Sequence, residues 1–415
     1  MADPELNVVV ASSFAEMEPL CEFWAQHNRH PECARDFVAM LMNTRPQVIG
    51  PHVLMVCRGP TPIAMLVGRL ERASLALRLG YRNALRVPMT QWVFVRDGFL
   101  GEQTERTAMA LMEHLRGELR SGHADRILLS SLPLAGALQA SARQVFSPLQ
   151  RDGSARPGEH WQVHLPADFE SFLARRSAKH RYALRRAARQ FEALHPGQVR
   201  HQVCERPEDV MLFCEAAESV ARGTYQRGLG AGFFDDDAHR QRLRLAAQRG
   251  ELRGHVLFAG ERPVAFWAGE VTGQVMYVAW TAFDPAFRRH EVGTIALLGM
   301  VEHLMAGGVR TIDFGPGGAA YKERFGDLCL HEQDVAVYAM TPKGLAARAL
   351  AATMHGVNHA GRQLFDRLSI ARRLKKSWRD RLSRQASAQR VSDAVPARTA
   401  TPAGAPMQAG EGQLP

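Results

Sequence analysis

The chain has 415 residues, 46% hydrophobic and 23% charged, which is the composition of a globular protein with room for two ordinary domains and tails. No apolar run approaches the roughly 18–20 residues that span a bilayer, and residues 1–6 lack the basic-then-apolar pattern of a secretion signal, so a cytoplasmic location is predicted. The six cysteines are scattered without a Cys-x-x-Cys pair, which argues against a disulfide framework or a metal site.

The formal net charge of +10 is concentrated near the end of the sequence. Nine Lys and Arg residues against two Asp residues place +7 within residues 362–384, so the rest of the chain carries only +3. The body is therefore not strongly basic, which argues against a nucleic-acid-binding surface there. The basic segment is open to two interpretations: a peripheral contact with the inner face of a membrane through its Leu and Trp face, or packing on the body.

Strand and helix patterns alternate over the first 150 residues. A strand is predicted at residues 6–11, and Ser13-x-x-Glu16 is a capping box that opens a helix running to about residue 27. Further strands are predicted at 52–58, 62–71, 91–96 and 126–130, with a helix at 104–120 before the last of them.

The same order of patterns recurs in the second half. Three short echoes occur in order: His52-Val53-Leu54-Met55 with His255-Val256-Leu257-Phe258, Pro62 and Gly68 with Pro263 and Gly269, and Glu113-His114-Leu115 with Glu302-His303-Leu304. Three echoes in order argue for an internal duplication.

The predicted fold is therefore α/β (α+β), with two tandem modules whose mixed sheets are flanked by helices. The predicted boundaries are an N-terminal module at 1–150, a linker at 151–160, a C-terminal module at 161–340, a helical basic tail at 341–384 and a disordered segment at 385–415.

The most informative stretch for chemistry is a predicted hairpin at 263–282 followed by a helix whose start contains Val292, Gly293 and Thr294. The start of a helix offers unpaired N–H groups and partial positive charge, which suits a pyrophosphate, and a glycine allows close backbone approach. These three residues are the predicted contacts of a phosphate-bearing co-substrate.

A second motif lies just downstream. Asp313-Phe314-Gly315 is followed by Gly317 and then by Tyr321-Lys322-x-x-Phe325-Gly326. With Ser177-x-Lys179-x-Arg181 upstream, this pattern resembles the CelD/BcsL family of GNAT-like acyltransferases, which is associated with exopolysaccharide synthesis. That family is similar to the FemAB-type transferases, which also have two GNAT modules. The resemblance implies GNAT-like modules, acetyl-CoA or another acyl-CoA as co-substrate, no metal, and an amine or amino-sugar acceptor.

One departure from the family pattern concerns the phosphate loop. The usual GNAT loop, Q/R-x-x-G-x-G/A, is expected to place glycines at 292 and 294, where this chain has Val292 and Thr294. Acyl-CoA is therefore predicted from the resemblance and not from the loop.

Four residues are the predicted catalytic groups. The resemblance implies that the Lys322 ammonium stabilises charge on the carbonyl or leaving group. Tyr321 either donates a proton to the leaving group or packs on Phe325, and Asp313 either orients Lys322 or the acceptor amine or caps its loop. Glu270 is either a base or a solvent-facing carboxylate. The hairpin strand of GNAT-type folds also implies a backbone donor for the acyl oxygen near Ala268.

The acceptor is expected to contact a basic helix at 178–194. Lys179, Arg181 and Arg185 are the predicted contacts on this helix, and Tyr277 is predicted on the hairpin. The alternative for the arginine row is a solvated helix face. His160, His201 and His255 have no partner spacing and are interpreted as structural.

Two rival functions stay open. One is a FemAB-like transferase that uses aminoacyl-tRNA, with the basic tail as the RNA contact. The other is a non-catalytic accessory protein of a membrane-associated polysaccharide synthase.

Overall fold

One mixed sheet runs through the computed structural model, which describes residues 5–79, 82–152, 155–228 and 230–367. The strands within these ranges are β1 (Leu6–Ala11), β2 (Val48–Pro51), β3 (Val53–Arg58), β4 (Thr61–Leu79), β5 (Arg82–Gly101), β6 (Arg126–Pro133), β7 (Gly158–His164), β8 (Val199–Cys204), β9 (Leu252–Ala259), β10 (Arg262–Thr272), β11 (Val275–Phe283), β12 (Thr311–Pro316) and β13 (Leu328–Tyr338). They lie in the order β1-β3-β4-β5-β6-β13-β7-β12-β11-β10-β9-β8, with β2 paired to β4.

Helices cover both faces of this sheet. They are α1 (Phe14–Met17), α2 (Cys21–His27), α3 (Arg35–Thr44), α4 (Glu105–Arg120), α5 (Ala137–Val145), α6 (Phe169–Ala174), α7 (Ala178–Leu194), α8 (Asp209–Ala221), α9 (Tyr225–Gly228), α10 (Asp237–Gln248), α11 (Val292–Ala306), α12 (Ala320–Phe325) and α13 (Pro342–Arg367). Short 3-10 helices lie at Glu18–Leu20, Pro31–Cys33 and Pro285–His290.

The predicted N-cap at Ser13 is present, but the return bond of the predicted capping box goes to Ser12 instead of Ser13. The Ser13 Oγ accepts a hydrogen bond from the Glu16 N–H at 3.3 Å, and the Glu16 carboxylate accepts one from the Ser12 N–H at 2.7 Å. The predicted continuous helix is instead three short pieces. Pro19 lies in the middle one and lacks the N–H that an α-helix needs.

The predicted duplication is confirmed by the topology. β4, β5, α4 and β6 form a hairpin, a helix and a strand parallel to the second hairpin strand, and β10, β11, α11 and β12 repeat this order. Both hairpins contain a register shift, next to Gly68 and Gly269 respectively. We call the halves containing these units the first and second module.

The two modules exchange strands where they meet. β13 follows the second module in sequence, yet it pairs antiparallel with β6 of the first module and with β7. β7 pairs with β12 and begins at Gly158, inside the predicted 151–160 linker. Residues 158–160 are therefore strand, because they pair with residues 330–332 of β13.

Side-chain alternation assigns each strand position to one face of the sheet. In the second module, Met276, Ile312 and Phe314 belong to the core under α7 and α11. Their neighbours Tyr277 and Asp313 therefore point to the opposite face. In the first module, Leu66 and Leu129 pack under α4 and α5, whereas Leu100 packs on the other face with Trp24.

The predicted tail begins as a helix. α13 starts at Pro342, and the Thr341 Oγ caps it by accepting a hydrogen bond from the Gly344 N–H at 3.1 Å. Residues 368–384 of the predicted basic tail and the predicted disordered segment 385–415 lie outside the described residues. Among the helices that are described, none combines the length and apolarity needed to cross a membrane.

Candidate active site

A gap opens between two parallel strands of the second module. β11 and β12 pair only at Val275–Tyr277 with residues 311–313 in the described part of the chain, and then diverge. The bulge on the other side of β11 is enforced by Gly269, because a Cβ there would lie 1.9 Å from the Tyr277 carbonyl oxygen. We call the opening beyond Tyr277 and Asp313 the strand gap.

The start of α11 borders this gap, and its backbone corrects the expected phosphate-loop register. Glu291 adopts a left-handed conformation with φ 54°, which glycine adopts most readily. The departure from the family pattern therefore falls at Glu291, and not at 292 and 294. Counted from Arg288, the pattern places its glycines at 291 and 293.

The three predicted phosphate contacts differ in their surroundings. The Val292 side chain is fully buried in the core. Gly293 lies against Phe283, and its carbonyl accepts a hydrogen bond from the Trp267 indole at 3.1 Å. The Thr294 hydroxyl donates to the Glu291 carboxylate at 3.0 Å. Backbone N–H groups and the Thr294 side chain are thus the groups at this helix start that face outward.

Tyr321 lies across the strand gap on the α11 face. Its ring packs edge-on against Trp267 of β10, at 5.1 Å, and Phe314 of β12, at 5.6 Å. Burial, with a smaller contribution from Tyr225, raises the pKa of Tyr321. Its hydroxyl has no hydrogen-bond partner among the described residues, so a protonated phenol is available at the gap.

Lys322 is buried and holds the glycine-rich loop. Its Nζ donates to the carbonyl oxygens of Gly315 at 3.0 Å and Pro316 at 2.8 Å. Burial lowers the pKa of Lys322 to about 8, although the charge of Asp313 opposes this shift. Of the alternatives left open for Asp313, the structure shows the loop cap, because its carboxylate accepts a hydrogen bond from the Gly315 N–H, whereas Lys322 donates to backbone carbonyl groups.

Asp313 is the centre of a buried network. Its Oδ1 accepts hydrogen bonds from the Gly315 N–H and His160 Nε2, both at 2.7 Å. Its Oδ2 accepts from Arg96 Nη2 at 2.9 Å and Gln162 Nε2 at 3.0 Å. The ring of His160 reaches Glu332 Oε1 through Nδ1 at 2.6 Å.

The pKa shifts in this network favour the charged forms of Asp313 and His160. Burial opposes ionisation of Asp313, but the hydrogen bond from His160 and the charge of Arg96 outweigh it and lower the pKa of Asp313 to about 2. Burial also opposes charge on His160, yet its hydrogen bonds to Asp313 and Glu332 raise its pKa. Asp313 is therefore a stable anion at neutral pH and a weak base.

Sequence reasoning missed Arg96, Gln162 and Glu332, and it did not identify the carboxylates that contact His160. The partners are distant in the chain: Arg96 and Asp313 are 217 residues apart, and His160 and Glu332 are 172 apart. No local spacing signals such contacts, because they depend on the order of strands β5, β13, β7 and β12.

Glu270 is neither solvent-facing nor unpaired. It is buried, and Arg242 Nε donates to its carboxylate at 2.7 Å. Arg242 also donates to Glu32 of the first module at 2.8 Å. Burial opposes ionisation of Glu32, but the charge of Arg242 outweighs it and lowers its pKa to about 2. Glu270 thus belongs to an ion bridge between the modules.

The structure does not bring Ala268 to the strand gap. It pairs with Gly254 of β9 on one side and Trp280 of β11 on the other, so the edge that faces the gap belongs to β11. Tyr277, a predicted acceptor contact, is the last residue of β11 that pairs with β12 before the strand gap. Its hydroxyl donates to the Arg29 carbonyl at 2.8 Å, and burial raises its pKa.

The basic row on α7 is largely engaged or exposed. Arg181 donates to the Arg176 carbonyl at 2.6 Å, which closes the turn before the helix. Arg185 forms an exposed ion pair with Glu170 at 2.9 Å, and Lys179 is exposed. None of the three borders the cavity described next.

A cavity of about 700 Å³ lies in the first module, where β5 and β6 diverge beyond residue 94 and residue 129. Its lining includes Phe94, Phe99, Leu129 and Leu138, and also Gln162, Tyr277 and Asp313. The cavity therefore reaches the apex of the strand gap. In the described residues, no group of three His, Cys, Asp or Glu side chains is arranged to hold a metal ion.

Comparisons with known proteins agree with this architecture. A family model described as an acetyltransferase (GNAT) domain matches residues 178–323. A crystal structure of FemX aligns with a TM-score of 0.53 and 10% identity over 76% of this chain and 94% of that one. A tandem GNAT protein from the clavulanic acid biosynthesis pathway aligns at 0.48 with 12% identity, over 81% and 99%.

A third structure is the C-terminal domain of a putative lysylphosphatidylglycerol synthetase from Agrobacterium fabrum, which aligns at 0.47 with 15% identity over 78% and 96%. No curated protein matches the sequence. FemX shares the fold, and the family match identifies a GNAT acetyltransferase domain in the second module. The chain is a GNAT-type acyltransferase.

Replacing Asp313 with Asn leaves the buried cations Arg96 and His160 sharing Glu332 as their buried carboxylate, so one buried positive charge is uncompensated, and we expect a loss of about 3–5 kcal/mol in the free energy of unfolding at pH 7. The ionised Asp313 carboxylate adds its full share to the free energy of unfolding above its ordinary pKa of 3.8. That share is lost as the pH falls through about 2, the pKa of Asp313 in the folded chain. Urea unfolding at pH 7 and pH 3 measures this, with exposed Glu323→Gln as the control. A difference that does not shrink at low pH contradicts the assignment.

Lys322→Met tests the buried ammonium. The pKa of Lys322 in the folded chain is about 8, against an ordinary 10.5, so the unfolded chain binds more protons between these values. The stability of the wild type should therefore rise relative to Lys322→Met as the pH increases from 8 to 10. Unfolding curves at both pH values give the difference, and exposed Lys179→Met should show no such trend. If the stability difference between the wild type and Lys322→Met is the same at both pH values, the Lys322 ammonium is solvated and not buried.

Proposed function

We propose that the enzyme transfers an acyl group from acetyl-CoA, or another acyl-CoA, to the amine of an amino sugar or related acceptor in polysaccharide synthesis. The observation that carries this proposal is the strand gap, which borders the start of α11 and has the Tyr321 hydroxyl across it. The acceptor class follows from the resemblance to the CelD/BcsL family.

The donor is placed on the α11 face of the sheet. Its pyrophosphate would lie at the N–H groups of Val292 and Gly293, where the helix start carries partial positive charge. Exposed Arg288 and Arg289 precede this turn and add positive charge. The Glu291 carboxylate is the unfavourable group here, and Arg324 partly neutralises it through an ion pair at 3.0 Å.

The chemical step needs one nucleophile and one acid. The acceptor nitrogen attacks the thioester carbonyl carbon, a C–N bond forms and the C–S bond breaks. The nitrogen loses a proton to solvent, and the departing sulfur takes one from the Tyr321 hydroxyl, which is then reprotonated by water. A phenol with a raised pKa stays protonated at neutral pH and is available for this transfer.

Asp313 and Lys322 support this step without carrying the proton. A carboxylate with a pKa near 2 is a poor base, but it attracts an ammonium group and can accept a hydrogen bond from an amine. Lys322 acts as a positioning residue, since its ammonium ties the carbonyl groups of Gly315 and Pro316 and so fixes the loop after β12.

The test is release of free CoA thiol from acetyl-CoA in the presence of glucosamine. Tyr321→Phe should lower kcat by about 10²-fold and leave the KM for acetyl-CoA unchanged, because the ring still packs on Trp267 and Phe314 while the acid is lost. Tyr182→Phe, on the exposed side of α7, is the matched control and should behave as wild type.

Two results would overturn the proposal. Absence of thiol release with acetyl-CoA and longer acyl-CoA donors, together with consumption of aminoacyl-tRNA, would assign the chain to the FemAB-like reaction. Full activity in Tyr321→Phe would remove the hydroxyl from the mechanism.

A further inference from the structure

The cavity of the first module is the counterpart of the strand gap, because it lies between the corresponding strands of the duplicated unit. It passes through the sheet. Leu129 and Leu138 belong to the core on the α5 side, whereas His27 and Arg29 border the cavity from the segment on the other face. The reaction proposed above leaves this space without a role.

The geometry points to this cavity as the acceptor subsite, and to a hydroxyl-rich primary amine, such as an amino sugar, as its ligand. This inference rests on the proposed acyl transfer. Tyr277 and Asp313 line the cavity and are also the last paired residues before the strand gap. They point to the face opposite α11, so the acceptor and the donor would approach the gap from opposite sides of the sheet.

The first-module cavity is not suited to a second CoA. At the start of α4, the Thr104 Oγ accepts a hydrogen bond from the Thr107 N–H at 3.2 Å, and the Thr107 Oγ accepts one from the Thr104 N–H at 3.1 Å. These bonds occupy donors that a phosphate would need. Glu105 lies in the first turn of the helix and disfavours an anion there, while Glu102 before it is paired with Arg58 at 2.9 Å.

Hydroxyl groups would find partners on the cavity wall. Gln139 is 1% exposed and borders the cavity, and its Oε1 has no hydrogen-bond partner in the described part of the chain. Because a buried acceptor without a partner costs free energy, a ligand O–H or N–H at this position is favourable. Ser130 and Ser131 add hydroxyl groups, and Phe94 and Phe99 offer apolar surface for the C–H face of a sugar ring.

Asp97 provides a carboxylate for the amine of the ligand. Asp97 lines the cavity, and its side chain is 47% exposed. Its ion pair with Arg96 is long, at 3.4 Å, whereas Arg96 donates to Asp313 at 2.9 Å. Asp97 therefore keeps capacity for an ammonium group near Tyr277, at the end of the cavity next to the strand gap.

The experiment uses the full chain, with glucosamine as the probe and glucose as the probe without an amine. Ala135 is exposed and borders the cavity, so Ala135→Trp should obstruct it without disturbing the core. Ala140→Trp, exposed on α5 five residues downstream and absent from the cavity lining, is the matched control. Binding is measured by saturation-transfer NMR, and acetyl transfer by thiol release.

We expect Ala135→Trp to weaken glucosamine binding and raise its KM by roughly tenfold or more, with the KM for acetyl-CoA unchanged, while Ala140→Trp behaves as wild type. Asp97→Asn keeps a residue that tolerates the left-handed backbone at this position, where φ is 54°. It should weaken glucosamine binding by roughly tenfold and leave glucose binding unaltered, because one charge-assisted hydrogen bond is lost.

Unchanged glucosamine binding and KM in Ala135→Trp, with active wild-type enzyme, would overturn the acceptor subsite and leave the acyltransferase reaction intact. A raised KM for acetyl-CoA in Ala135→Trp would assign the cavity to the donor and overturn it equally. If the wild type transfers no acetyl group but binds glucosamine in a manner that Ala135→Trp abolishes, the subsite holds and the proposed reaction fails.

Discussion

The carboxylate of Asp313 is the point at which the two modules depend on each other. It receives hydrogen bonds from Arg96 of β5, from His160 and Gln162 of β7, and from the backbone of Gly315. Arg96 lies just beyond the last parallel pair of β5 and β6, and Asp313 is the last paired residue of β12. One ion network therefore joins the apices of both openings in the sheet. A buried charge is costly unless it is fully paired, so the network holds these two openings at a fixed separation.

Duplication produced two openings, and electrostatics distinguishes them. The first begins beside a helix whose start is capped by Thr104 and Thr107 and flanked by carboxylates. The second begins beside a helix whose start has Arg288 and Arg289 nearby and a carboxylate, Glu291, that is paired with Arg324. Under the proposed function, the same fold element binds a pyrophosphate in the second module and disfavours one in the first. In that case, the charges at one helix turn are enough to give two modules with the same fold different ligands.

The parts of the fold that repeat locally were predictable from the sequence. Strand and helix periodicity, the echo of Pro62 and Gly68 at Pro263 and Gly269, and the capping box at Ser13 all depend on residues close together in the chain. The α/β class and the duplicated order followed from these patterns.

Residues whose role depends on strand order were not predictable. Glu270 was expected near the chemistry, yet Arg242 of α10 takes it into an ion bridge, and Arg96 gave no signal because its hydrogen-bond partners His160 and Asp313 lie 64 and 217 residues away. Lys322 lies on α12, after the glycine-rich loop, and periodicity does not show that its ammonium is turned toward the carbonyl groups of that loop.

The position of β13 has a consequence for how the protein is made. This strand is the last of the sheet in sequence, and it fills the place between β6 and β7. While a ribosome is still synthesising the second module, β6 and β7 each present a row of unpaired backbone groups at a bare edge. Such edges pair readily with other nascent chains. The unfinished chain is therefore prone to misassembly until residue 338 has been synthesised and β13 can pair with β6 and β7.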